Sequence, residues 1–170
     1  MGNHKAALPL YTRALEISEA VLGPRHPDTA NTLNNLAGLH TTMGTHKAAL
    51  PLLMRALEIS EAVLGPRHPS TASSLNNLAT LHSDMGNHKK ALPLYTRALE
   101  IDEAVLGPRH PHTATSHSNL VMLQKHLDKE NEVDGTGQRR LTGQCVTITD
   151  LAREELRRML QIKKKKRSGK

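Results

Sequence analysis

The chain has 170 residues, about one domain's worth, with 23 Lys and Arg against 16 Asp and Glu and a formal charge of +7. It has no Phe, no Trp, two Tyr and a single Cys. That composition excludes a disulfide framework and a Cys-built zinc cluster, and it argues against a sheet, where β-branched and aromatic residues are enriched. No apolar signal-peptide core opens the chain, and no apolar run approaches the ~18 residues of a membrane span. Residues 1–127 carry 11 basic against 9 acidic side chains and residues 128–170 carry 12 against 7, so the basic character belongs to the C-terminal part.

Met1-Gly2-Asn3-His4-Lys5 returns as Met43-Gly44-Thr45-His46-Lys47 and again as Met85-Gly86-Asn87-His88-Lys89, a strict 42-residue period. A fixed period of this size marks a solenoid or array, in which each unit buries its apolar face only against its neighbours. The first pattern, over about residues 4–22, is predicted to be a helix without a partner helix before it. Its Leu8, Tyr11 and Leu15 should therefore face an empty seat. A second copy of the chain, an upstream repeat or the C-terminal helix folding back could cover that face, and the first two are favoured.

After Pro27, Asp28 is placed to cap a helix carrying Ala30, Leu33, Leu36, Ala37 and Leu39 at helical spacing. Gly44 stops that helix, and Thr45, like Asn3 and Asn87, is read as the cap of the next. The stripe of this next helix includes Ala49, Leu52, Leu53, Ala56, Leu57, Ile59 and Leu64, and Gly65-Pro66 ends it. Pro51, with Pro9 and Pro93, lies inside such helices and should bend them without breaking them.

The pattern repeats to Pro111 and then decays, with His112 in place of the caps Asp28 and Ser70. Six helices are expected over 1–127: two complete pairs and a half-unit at each end. Residues 128–147 read as a linker. A last helix is expected over 148–162, with a capping box at Thr147 and Asp150 and an apolar stripe of Ala152, Leu156, Met159 and Leu160, followed by a basic tail within a 148–170 segment.

The run Leu33-Asn34-Asn35-Leu36-Ala37 … Gly44 … Ala49 … Leu53 … Ala56-Leu57 resembles a tetratricopeptide repeat, with Leu33 and Leu53 where that family prefers aromatic residues. The 42-residue length, Leu-Asn-Asn-Leu-Ala, Pro-Leu-Tyr-x-Arg-Ala-Leu-Glu-Ile and Val-Leu-Gly-Pro-x-His-Pro are similar to the kinesin light chain type. The resemblance implies an all-α fold, a right-handed superhelical solenoid of antiparallel helix pairs. It also implies a concave groove for peptides, lined by the first helix of each pair, and so a non-catalytic protein-interaction module with a protein or peptide partner.

By motif position the groove candidates are Asn31, Asn34, Asn35, Thr41, Ser73, Asn76, Asn77, Thr80, Ser83 and Asn119. An amide suits this role because it offers an extended chain both a donor and an acceptor. Asn34 and Asn76 are expected to contact peptide, while Asn35 and Asn77 have the competing role of tethering neighbouring helices. These helices carry almost no charge, only Asp28 and Asp84, which argues against specificity for acidic peptides.

Of the eleven His, eight are multiplied with the repeat, and copies on successive layers stand roughly 10 Å apart, too far to share one zinc. No metal or cofactor is expected. His110, His112 and His117 form the one tight cluster. No enzyme is expected either: there is no phosphate-cradling Gly-rich loop, His-Glu-x-x-His or Gly-x-Ser-x-Gly, and Cys145 has no paired base.

The lone thiol fits a cytoplasmic setting. The tail Lys163, Lys164, Lys165, Lys166 and Arg167 reads as a solvated face, a nuclear-import signal, or a patch for nucleic acid or anionic membrane. The alternative function is thus an electrostatic binder acting through the tail. Without aromatic residues there, base stacking is unavailable and any nucleic-acid contact would be phosphate-driven.

Overall fold

A computed structural model describes residues 4–132, apart from the side chains of residues 5 and 129–132. Contacts divide the chain into residues 1–131 and 132–170. The helix expected at 148–162, Cys145 and the basic run from Lys163 to Arg167 lie outside the described residues.

The described residues hold six α-helices and no strand: α1 (His4–Val21), α2 (Pro27–Thr42), α3 (His46–Val63), α4 (Pro69–Asp84), α5 (His88–Val105) and α6 (Pro111–Glu132). The 42-residue period therefore governs the fold as well as the sequence. α6 runs beyond Leu127 to Glu132, into the segment read as linker.

Each helix packs on its sequence neighbours, α1 on α2, α2 on α3, α3 on α4 and α4 on α5, and the first helices α2 and α4 also touch. α6 joins through Leu120 and Leu123, which pack with Ala91 and Tyr95 of α5. Together these form an all-α solenoid of helix pairs. Its core uses small and aliphatic side chains. Ala30, Leu33, Ala56 and Ile59 form one cluster, and Ala72, Leu75, Ala98 and Ile101 form its copy one unit on. Alanines at these positions let helix axes approach within the ~8–10 Å of ridge-and-groove packing, which explains why aromatic residues are dispensable.

The caps differ from the expectation. Asp28 is not the N-cap of α2. His26 is, and its Nδ1 accepts from the Asp28 N–H at 3.1 Å. His68 repeats this on Ser70 at 3.1 Å, and His110 on His112 at 3.2 Å. The reason is Pro27 and its copies, which occupy the first helical position, so that the side chain able to reach the first free N–H is the histidine before them. Thr45 and Asn87 do stand at the N-cap positions of α3 and α5, but neither side chain makes a capping bond. Thr45 Oγ1 instead donates to the His40 carbonyl at 3.0 Å.

His68→Ala should cost about 1 kcal/mol, the usual worth of an N-cap, and His68→Asn should recover most of it. Urea midpoints of the two variants would check this.

Thr29, Thr71 and Thr113 pin each loop to the helix that follows, donating to the carbonyls of Gly23, Gly65 and Gly107 at 2.8–2.9 Å. Gly65 has φ +97°, a left-handed conformation that a side chain would strain. Pro51 and Pro93 sit exposed within α3 and α5, which continue through them unbroken.

The face that α1 leaves uncovered is also not quite the expected one. Leu15 packs against the Ala30–Ile59 cluster and Leu8 is half-buried. Tyr11 at 38% and Ile17 at 53% are the exposed members. The equivalent residues of α3, Leu53 and Ile59, are 2% and 3% exposed: Ile59 packs with Ala30 and Leu33 of α2, and Leu53 with Ala37 of α2 and with Leu78 and Leu81 of α4. Leu15 turns the other way, toward the helix that follows it.

Candidate functional site

The first helices α2, α4 and α6 carry the candidate groove residues, and the structure sorts these into three groups. Asn34 and Asn76 are joints between units. The Asn34 amide nitrogen donates to Ser74 Oγ at 3.0 Å, and Asn76 donates to Ser116 Oγ at 2.5 Å. Each bond crosses from one first helix to the next. Ser74 also meets Ser60 of α3 at 3.4 Å, and Ser116 donates to the Asp102 carboxylate of α5 at 2.6 Å. Each junction is thus pinned by a polar node drawing on three helices. Ser18 and Thr32 form a simpler contact at 3.3 Å one unit earlier. The Oδ1 atoms of Asn34 and Asn76 are buried at these nodes without a hydrogen-bond partner.

A second group bonds within its own helix. Thr41 Oγ1 donates to the Ala37 carbonyl at 3.0 Å and Ser73 Oγ to the Pro69 carbonyl at 3.2 Å. Thr80 Oγ1 bonds both the Asn76 carbonyl at 2.9 Å and the Tyr95 hydroxyl at 2.8 Å. Burial pushes the Tyr95 hydroxyl up from its ordinary value, Asp84 adds to the rise, and the Thr80 contact opposes it.

The third group is available to a ligand. Asn35 and Asn77 are exposed, and neither side chain is hydrogen-bonded among the described residues. Asn119, half-buried, continues the same register on α6, and the hydroxyl of half-buried Ser83 is also unbonded. Asn31, exposed, holds Asp28 Oδ1 only at a long 3.4 Å. Tethering therefore falls to Asn34 and Asn76 and not to Asn35 and Asn77. One residue of helix is 100° of rotation, enough to carry the second Asn of each pair from the inter-unit seam to the open face.

The last turn of α4 holds one titratable group shifted by its surroundings. Burial first, and Lys90 second, hold the His82 imidazole below its ordinary value of 6.5. Its Nδ1 is buried without a hydrogen-bond partner, whereas His40 Nδ1, one unit earlier, meets Thr45 Oγ1 at 2.9 Å. Asn87 replaces Thr45 in this copy and removes that hydroxyl.

Because the fold favours the neutral ring, the unfolded chain takes up the proton first as pH falls. The contribution of His82 is therefore intact above pH 6.5 and declines as the pH drops toward and through the lower folded value. His82→Gln, which installs the residue found at position 124, should make the acid loss of stability shallower when thermal unfolding is followed from pH 7 to pH 5.

Among the described residues no three His, Cys, Asp or Glu side chains come together to hold a metal ion. The rings of His110 and His112 stand 5.7 Å apart, with Nδ1 of His110 engaged in the cap. No described helix is long and apolar enough to cross a membrane.

The family model that matches the chain is the tetratricopeptide repeat, over residues 1–61, 28–104 and 82–133. No curated protein matches. Among solved structures, a Podosopora anserina kinesin light chain protein with nearly identical TPR-like repeats is similar, with a TM-score of 0.67 at 23% identity over 77% of this chain and 64% of that one. A point variant of the same protein gives 0.67 at 24% identity, over 77% of this chain and 63% of that one. BtubC (BKLC) from P. vanneervenii gives 0.66 at 21% identity, over 86% of this chain and 65% of that one. The chain spans less than two thirds of the length of each of these structures. Identities this low establish a shared fold.

Proposed function

The chain belongs to the tetratricopeptide repeat family, whose arrays mediate protein–protein interaction, and on that premise we propose that it binds an extended, uncharged peptide along the open face of α2, α4 and α6. The observation that carries this reading is the row Asn35, Asn77 and Asn119, one amide per unit at a spacing of 42 residues, two of them exposed and without hydrogen-bond partners among the described residues.

Neighbouring first helices lie roughly 8–10 Å apart. A polyproline II strand rises about 3.1 Å per residue with three residues per turn, and so presents the same face every ~9 Å. One peptide group in three can then meet one asparagine, which gives a C=O and an N–H in return for an N–H and a C=O. The flanking positions Asn31 and Ser83 add neutral polar contacts. With charge on these helices confined to Asp28 and Asp84 before α6, an acidic peptide would find no cation among α2 and α4.

The test is an array of uncharged twelve-residue peptides, including proline-rich ones, probed with the full chain and with the Asn35→Ala/Asn77→Ala variant. The reading expects specific capture that weakens at least about tenfold in the variant, a lower bound for the four hydrogen bonds that two asparagines give, with helicity unchanged. Capture equal in the two proteins would refute it.

A further inference from the structure

α1 and α6 are the two halves of a helix pair that the described chain never closes. α1 is a second helix with no described first helix on its outer face, and α6 is a first helix with no described second helix on its own. Internal copies show what belongs on each. The seats of Tyr11 and Ile17 are filled in α3 by Leu53 and Ile59 and in α5 by Tyr95 and Ile101, all 5% exposed or less. Ile59 and Ile101 are covered there by Ala30 and Leu33 of α2 or Ala72 and Leu75 of α4, while Leu53 and Tyr95 lie between two first helices, against Ala37 of α2 with Leu78 and Leu81 of α4, or Ala79 of α4 with Leu120 and Leu123 of α6. The equivalents on α6 are Ala114 and His117, both exposed.

A second, independent feature runs the same way. Arg55 of α3 pairs with Glu19 of α1 at 2.6 Å, and Arg97 of α5 pairs with Glu61 of α3 at 2.6 Å. Each Arg thus reaches the Glu 36 residues earlier, on the preceding second helix. The series leaves Arg13 of α1 and Glu103 of α5 at its ends, both exposed and neither in an ion pair among the described residues. Three periods separate the Glu that Arg13 would need from Glu103.

We propose that two copies of this chain associate head to tail, α1 of one docking on α5 and α6 of the other as α3 docks on α1 and α2. Ile17 and Tyr11 then meet Ala114 and the α6 face of the neighbouring copy, and Arg13 pairs with Glu103 of that copy. The half-exposed ion pair contributes register more than affinity. The contact is heterologous: different surfaces meet, so it can repeat from copy to copy. His117 is its weak point, because it puts an imidazole where Leu33 and Leu75 are fully buried.

Sedimentation velocity of the full chain over a dilution series tests this. The wild type should form species larger than a dimer as concentration rises. Ile17→Asp and Ala114→Asp, both at exposed positions and so expected to keep native helicity, should each be monomeric alone. Mixed, they should give a 1:1 complex that grows no further, since each supplies the face the other lacks. Arg13→Glu and Glu103→Arg should behave alike: each alone is weakened, and the mixture recovers. His117→Leu should tighten association by about tenfold, the worth of one seated aliphatic side chain.

A wild type that stays monomeric at every concentration overturns the proposal, as it would if part of the same chain covers α1. So does an Ala114→Asp protein that still self-associates, which would mean that α1 pairs with α1, and so does a mixture that remains monomeric.

Discussion

Leu75→Ala should lower the unfolding free energy by about 2–5 kcal/mol, the range for large-to-small changes at sites of this kind. Leu75 has no solvent exposure, and it packs among Ala72, Ala98 and Ile101 with Leu57 and Leu94 around them. Rigid helices on every side leave little room for the cavity to collapse. A domain of this size has roughly 5–15 kcal/mol to lose, so the urea midpoint should fall steeply. The fold supplies its own control. Ile59→Ala at 3% exposure should be costly, whereas Ile17→Ala, at 53% exposure on the same face of a repeated helix, should change stability by less than about 0.5–1 kcal/mol when measured in dilute monomer.

Asp102→Ser should act in the opposite direction and stabilise the chain by about 1–3 kcal/mol, the desolvation cost of a buried unsatisfied acceptor. Asp102 is 1% exposed. One carboxylate oxygen accepts from Ser116, and the other is buried without a hydrogen-bond partner. It also lies in the last turn of α5, where the helix dipole disfavours negative charge. Serine is what the other two copies carry, at Ser18 and Ser60, and Ser60 lies within 3.4 Å of Ser74. The substitution keeps a partner for Ser116 and removes the stranded oxygen. A thermal midpoint that fell would show that the carboxylate is better satisfied than this geometry allows.

Helix number, order and buried stripes were legible in the sequence because repetition tests each assignment three times. Ala30, Leu33, Leu36, Ala37 and Leu39 are all buried, as their spacing implied. The caps were misread for a local reason: Asp28 has the better propensity, but Pro27 moves the helix start and hands the bond to His26. Asn34 was expected to meet peptide and Asn35 to compete as a tether, an order that spacing alone could not secure, since it is Asn34 that bonds across to Ser74. Both lie near the open face, and only the position of Ser74, 40 residues away, decides which is drawn into the seam. The inter-unit nodes themselves went unread because a serine inside a helix has no signature until its neighbour is known. Their one trace was that residues 18, 32, 60, 74, 102 and 116 keep the period while changing identity.

Among the described helices α1 and α5 occupy unlike surroundings, the first flanked by one first helix, α2, and the second held between α4 and α6. Yet across the 27 residues from Met1 and from Met85, only Ala6 against Lys90 and Ser18 against Asp102 differ. A folding chain therefore has almost nothing by which to tell one segment from the other. Either can thread into the place of its twin with nearly every apolar contact intact, and two side chains carry the burden of register. The same economy that lets one short sequence build a whole array leaves its addresses nearly interchangeable, and the stranded carboxylate of Asp102, costly where it lies, is one of the two marks that separate them.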